Sequence, residues 1–284
     1  MIFGWQTLLN ILPERLRGEV DTLARQSGQE IRLRLGGAPQ IRTDSGSTFL
    51  ADKITREDLS LCVNLASRYS PWNTAFETQG FIPLPGGHRL GLCGETAVKD
   101  GLISSFREID AVCIRIARDI PQAGAEYNPK EPLLILGPPG YGKTTLLRCL
   151  ARQAAEREPV CVLDQRWELF PRGFPRGKQM DVLSGCPKGA GMELLVRSMS
   201  PGWIALDEIT GEADGNAIVN AAGCGVKLMA TAHAGQARDL LRRPIYRKLL
   251  EAGIFSEILV LHPDRQFTVE RAEEIWHGNG WARS

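Results

Sequence analysis

A glycine, four residues, then Gly-Lys-Thr: the stretch Gly137-Pro138-Pro139-Gly140-Tyr141-Gly142-Lys143-Thr144-Thr145 restricts the fold more than any other part of the 284-residue chain. In front of it, Leu133-Leu134-Ile135-Leu136 is an apolar run long enough for a buried parallel strand. Behind it, Leu147, Leu150, Ala151 and Ala154 recur at helical spacing over residues 144–157. Strand, glycine-rich loop and helix in that order aim successive backbone N–H groups and a helix N-terminus at one point, which makes an anion site. Gly137 and Gly142 let the backbone approach phosphate oxygens, and Lys143 adds a point charge for the β- and γ-phosphates. The Thr144 hydroxyl suits a magnesium ion. The pattern predicts an α/β domain that holds ATP and Mg2+, with residues 137–145 lining the phosphates.

Composition closes off several other classes. A formal net charge of +1 gives no strongly basic surface, so nucleic acid is not an expected partner. No run approaches 18 apolar residues, so no membrane span is expected. Seven cysteines at irregular spacing, with no C-x-x-C pair, fit reduced thiols better than a disulfide framework or a zinc site. Residues 1–12 are apolar but lack a basic flank and a small-residue cleavage signal, so a secretory leader is not predicted. They read as a short helix showing Phe3, Trp5, Leu8 and Leu9 to its own domain or to a partner.

Before the phosphate loop the pattern is mixed. Residues 13–24 predict a helix with Leu16, Val20, Leu23 and Ala24 on one stripe. Glu30-Ile31-Arg32-Leu33-Arg34-Leu35 alternates as a half-buried strand does. Residues 55–68 open on a capping box, Thr55 and Asp58, ahead of Leu59, Cys62, Val63 and Ala66. Residues 80–84 and 88–93 flank Pro85-Gly86-Gly87 as a hairpin, and 112–116 is a last strand. The Pro-, Ala- and Gly-rich segment 121–132 reads as a linker, which divides the chain into domains 1–125 and 126–284.

After the loop, Val160-Cys161-Val162-Leu163-Asp164 predicts a second buried strand ending on a carboxylate. Ligands sit beyond the carboxyl ends of strands in open α/β sheets, which places Asp164 and Glu168 toward magnesium-bound water or the γ-phosphate. The alternative is structural, with Asp164 capping a turn and Glu168 paired to Arg166. Residues 172–188 read as a long loop, either a contact surface or solvated. Trp203-Ile204-Ala205-Leu206-Asp207-Glu208 delivers two acids to the same sheet edge, Asp207 for magnesium and Glu208 for the attacking water. Residues 227–233 predict a further core strand, with Thr231 or His233 reading the γ-phosphate, and 256–262 and 266–275 two closing strands.

In their order, Leu163-Asp164-Gln165-Arg166-Trp167-Glu168, Arg197-Ser198-Met199-Ser200-Pro201, Ile204 to Glu208 and Ala230-Thr231-Ala232-His233 resemble the stage III sporulation protein AA family. So do Glu30 to Arg34, Gln79 to Leu84, Gly86 to Leu92 and Ile114 to Ala117 in the first half, and the likeness covers roughly residues 10–275. The chain departs from that family's pattern at Tyr141, Trp167 and Ala234. The family is related to the hexameric motor ATPases of type II and type IV secretion. The resemblance implies a RecA-like P-loop NTPase domain preceded by a smaller α+β N-terminal domain. It further implies a homo-oligomeric, hexameric ring at the cytoplasmic face of a membrane, working with the channel proteins of the stage III sporulation complex.

For such a motor the expected chemistry is in-line attack of water on the γ-phosphorus, driven by positioning and charge stabilisation. Lys143, Glu208 and His233 are the catalytic candidates, joined by an arginine from a neighbouring subunit drawn from Arg115, Arg118 and Arg197. A nucleic-acid-dependent ATPase and a nucleotide-gated scaffold are the competing readings of the same loop.

Overall fold

Alternation along β1 (Gly28–Arg34) turns Ile31 and Leu33 to one face and Arg32 and Arg34 to the other, and the buried pair seeds a hydrophobic core. In the computed structural model, which describes residues 2–68, 80–171 and 173–277, the chain divides into two compact units. The first comprises residues 1–119 with 171–174, the second 120–170 with 175–284. Gln79 and Arg172, both drawn on in the sequence reading, lie outside the described residues.

The first unit adds β2 (Gln40–Thr43), β3 (Gly46–Phe49), β4 (Phe81–Pro83), β5 (Arg89–Lys99) and β6 (Leu102–Arg115) to β1. Their order is β3-β2-β1-β6-β5-β4, antiparallel throughout. Helices α1 (Trp5–Asn10), α2 (Glu14–Ala24) and α3 (Arg56–Ser67) supply Leu8, Leu16, Val20 and Leu59 to the same core. Residues Trp5, Leu8 and Leu9 are therefore buried in the unit that carries them. The capping box forms: Thr55 accepts the Asp58 N–H, and Asp58 accepts the Thr55 N–H. Arg15 of α2 also donates twice to Asp58, and that bond holds the Asp58 carboxyl below its usual range.

One strand expectation is corrected here, and one hairpin was not foreseen. The strand expected to begin at Val112 begins at Leu102 and runs back along β5 through the two-residue turn Asp100-Gly101. Both turn residues take the left-handed conformation, φ 54° and 77°, that such hairpins require. Because β1 pairs with β6 only from Ala111 to Arg115, the outer ribbon stands off the sheet and shows no apolar alternation. The hairpin of β2 and β3 is likewise absent from the sequence reading, since β3 is exposed along its whole length.

His88 is fully buried in this unit. Its Nδ1 accepts the Ala117 N–H at 3.0 Å, so Nε2 carries the hydrogen and donates to the Phe3 carbonyl at 2.7 Å. Burial pushes its pKa down to about 4, against the raising effect of the Phe3 bond. A histidine depressed in the folded state binds fewer protons there than when unfolded. Its contribution is present at pH 7 and is lost as pH falls from the unfolded value toward 4, a change of about 3 kcal/mol. Urea melts between pH 7 and pH 4 should show this slope in the natural chain and a smaller one in His88→Gln. Equal slopes would contradict it.

The second unit is built from apolar runs that alternate between two buried faces. Along β7 (Leu133–Leu136), Leu133 and Ile135 enter one core, and Leu134 and Leu136 the other. The remaining elements are α4 (Lys143–Ala155), β8 (Val160–Asp164), β9 (Met180–Ser184), α5 (Lys188–Met199), β10 (Trp203–Leu206) and α6 (Glu212–Gly223). They continue with β11 (Lys227–Ala232), α7 (Pro244–Glu251), β12 (Glu257–Leu261), β13 (Phe267–Arg271) and α8 (Ala272–His277). The strand order is β13-β12-β7-β11-β10-β8-β9, parallel except for β13. Leu147 and Leu150 of α4 cover one face, and Met192, Ile218 and Leu249 of α5, α6 and α7 the other.

The stretch read as a loop over 172–188 contains β9, an edge strand with only Met180 buried, too little apolar signal to register. The strand read over 266–275 ends at Arg271, where α8 begins. Among the described residues no helix is long and apolar enough to cross a membrane.

Candidate nucleotide site

Strand β7 ends at Leu136, and the loop that follows reaches α4 through Gly140 and Gly142 at φ 83° and 99°. Residues with a Cβ rarely adopt that left-handed region, so these two glycines set the loop's path. Gly142 caps α4 without a side-chain bond, and no acid lies in the first turn, which leaves the leading amides for an incoming anion. Pro139 and Gly140 are exposed at the tip, whereas Pro138, Tyr141, Thr144 and Thr145 are half-buried around it.

Lys143 is 6 % exposed, and its ammonium donates to the Gly137 carbonyl at 2.8 Å and the Pro138 carbonyl at 3.0 Å. It also reaches Nδ1 of His233 at 2.9 Å. An ammonium only donates, so Nδ1 is the accepting nitrogen and Nε2 carries the imidazole hydrogen. That Nε2 lies 3.1 Å from Oε2 of Glu208. Burial lowers the Lys143 pKa, while the Glu208 and Asp207 carboxylates pull it back up.

The two acids arrive from β10 and their companions from the adjacent β11. Asp207 accepts the Thr231 hydroxyl at 3.0 Å. The fold thus joins Lys143, His233 and Glu208 in one chain of contacts, with Asp207 and Thr231 beside it. Thr231 and His233, alternatives in the sequence, are both present with separate partners.

Asp164 is placed differently. Its Oδ1 accepts the Glu168 N–H at 2.8 Å, and its Oδ2 accepts those of Leu169 and Phe170 at 3.1 and 2.9 Å. This is the turn-capping arrangement, and it uses both oxygens. Burial pushes the Asp164 carboxyl up against the lowering effect of these three bonds. Arg148 of α4 clamps the same turn through the Leu169 and Glu168 carbonyls, at 2.5 and 2.9 Å. Within it Trp167 takes φ 56°, a conformation uncommon for a bulky residue.

Arg197 is on the last turn of α5, its exposed side chain 3.8 Å from Glu193. Arg118 donates two bonds to Asp44 within the first unit, and Arg115 is exposed on β6.

Two residues were not anticipated. Tyr246 donates to the Ile209 carbonyl at 2.7 Å. Lys188, read only as the end of a loop, is buried, donates to the Glu208 carbonyl and lies 3.7 Å from Asp214. A cation on the first residue of a helix opposes the helix dipole, and that was the available signal.

A parallel sheet carrying the phosphate loop at the β7–α4 junction and two acids after β10 defines a RecA-like P-loop NTPase domain, here preceded by a smaller α+β unit. Solved structures share this fold. The pilus retraction motor PilT with bound ADP superposes with a TM-score of 0.63 at 14 % identity, over 92 % of this chain and 86 % of that one. The Legionella pneumophila ATPase DotB gives 0.59 at 14 %, over 94 % and 86 %. The model of the family Sporulation stage III, protein AA matches residues 5–277. Stage III sporulation protein AA of Bacillus subtilis (strain 168) is 33 % identical over 275 residues, 89 % of this chain and 90 % of that protein. The chain belongs to the stage III sporulation protein AA family.

Proposed function

We propose that this chain is a Mg2+-dependent ATPase of the secretion-motor type that energises a mother-cell-to-forespore channel complex during stage III of sporulation. The observation that carries the reading is the contact of the phosphate-loop ammonium with His233 and, through it, with Glu208. Lys143 and the amides of residues 137–145 hold the β- and γ-phosphates. Glu208 orients the attacking water, and His233, touching both groups, reads the presence of the γ-phosphate. The Thr144 hydroxyl and the Asp207 carboxylate are hard oxygen donors of the kind that suits Mg2+, which would neutralise phosphate charge there. Asp164 supports the site indirectly, by fixing the turn after β8.

The two structural relatives, an ATPase and a pilus retraction motor, support the same activity. The active form in this reading is a homo-oligomeric, hexameric ring, cytoplasmic and held at the membrane by proteins of the stage III complex. Arg197, exposed on α5, is the leading candidate to act across a subunit boundary. Phosphate release from Mg·ATP should then rise per subunit as protein concentration increases, and Arg197→Ala should flatten that rise. Constant specific activity from dilute to concentrated protein would contradict an arginine supplied in trans. No release at any concentration would contradict the ATPase.

A further inference from the structure

Lys188 opens α5 directly after Pro187, with its side chain only 7 % exposed. Burying an ammonium is costly unless it is paired and hydrogen-bonded, and a cation in a first helical turn works against the helix dipole. Neither solvation nor helix stability accounts for a lysine here, so the reason lies in what it touches. The ammonium donates to the main-chain carbonyl of Glu208 and sits 3.7 Å from Oδ2 of Asp214 in the first turn of α6. That same Oδ2 accepts the Thr210 N–H and the Thr210 hydroxyl, both at 3.1 Å. Between these points, the Ile209 N–H donates to the Thr231 carbonyl at 3.3 Å, and its carbonyl accepts the Tyr246 hydroxyl. Every residue from Glu208 to Thr210 is therefore tied to a neighbouring element, and Lys188 holds the peptide whose rotation re-aims the Glu208 side chain.

We propose that Lys188, seated by Asp214, is a positioning residue that fixes the Glu208 carboxylate for attack on the γ-phosphate. The role rests on the ATPase reading above. It differs from that of Lys143, because Lys188 contacts the peptide of the water-orienting acid and not the phosphate loop. Its loss should slow turnover without weakening nucleotide binding. Displacement of a reacting group by about 1 Å can cost about 10²-fold in rate.

The test uses the full chain with Lys188→Met, Lys188→Arg, Asp214→Asn and the Met/Asn double variant. Steady-state hydrolysis and calorimetric binding of Mg·AMP-PNP are measured for each. Lys188→Met is expected to lower kcat by about 10²-fold with Kd held within about threefold. Lys188→Arg, which still donates to a carbonyl and a carboxylate together, should recover most of the rate. The double variant should be no slower than Lys188→Met, because the two residues act as one unit. If Lys188→Met does not fold, Asp214→Asn carries the test through the same split between rate and affinity. Unchanged kcat in folded variants, a Kd that weakens in step with kcat, or no recovery with Arg would overturn the role of Lys188 while leaving the ATPase intact. A natural chain that binds Mg·AMP-PNP but never hydrolyses ATP would overturn both.

Discussion

Glu208→Gln should retain Mg·ATP and lose nearly all turnover. Glutamine has the shape of glutamate and can still accept the Nε2–H of His233, so the contact at 3.1 Å has a substitute. The amide cannot draw a proton from water, however. Loss of a positioned general base costs about 10²–10⁴-fold. The check is phosphate release in a single turnover, paired with gel filtration to see whether labelled ATP stays on the protein. A Glu208→Gln chain that hydrolyses within about threefold of the natural one would remove Glu208 from the mechanism.

Lys143→Ala should act earlier, at binding. Its ammonium makes three contacts, to Gly137, Pro138 and His233, and is held in a place where burial disfavours its charge. Arriving phosphates supply the negative charge that favours it. Charge-assisted hydrogen bonds of this kind contribute about 1.5–3 kcal/mol each, so losing one weakens ATP by roughly 10- to 100-fold. Removing the ammonium also cuts the direct contact from the loop to His233. Calorimetry on the folded variant reads the affinity directly. Undiminished binding would place the triphosphate elsewhere.

How much of this was legible depends on where the controlling contacts lie. The second unit's inner strands are continuous apolar runs, so β7, β8, β10 and β11 were evident, as was the loop that follows β7. Of the residues that converge at that edge, Lys143 was named from the phosphate-loop pattern, and Asp207, Glu208, Thr231 and His233 because strand ends in a parallel sheet share one rim. Exposed elements had no such signature. Strand β9 buries one residue, and the outer β5–β6 ribbon none that alternates, although Asp100-Gly101 was a readable turn. Helix α7 was also readable after the fact, with Pro244 at its start and Tyr246, Leu249 and Leu250 on one stripe.

What the sequence could not specify was the direction of individual polar side chains. Asp164 ends its strand as expected, but a turn passing through Trp167 at positive φ folds three amides onto it. Lys188 meets Glu208 only because α5 starts beside the end of β10, a fact of packing rather than of local pattern.

The central claim is that residues 137–145 and the acids after β10 hold Mg·ATP between them. Titrating Mg·ATP into the folded natural chain by calorimetry tests it most directly. One saturable site per chain, weakened when Mg2+ is withheld, is the predicted result. Absence of any saturable uptake by well-folded protein would contradict it.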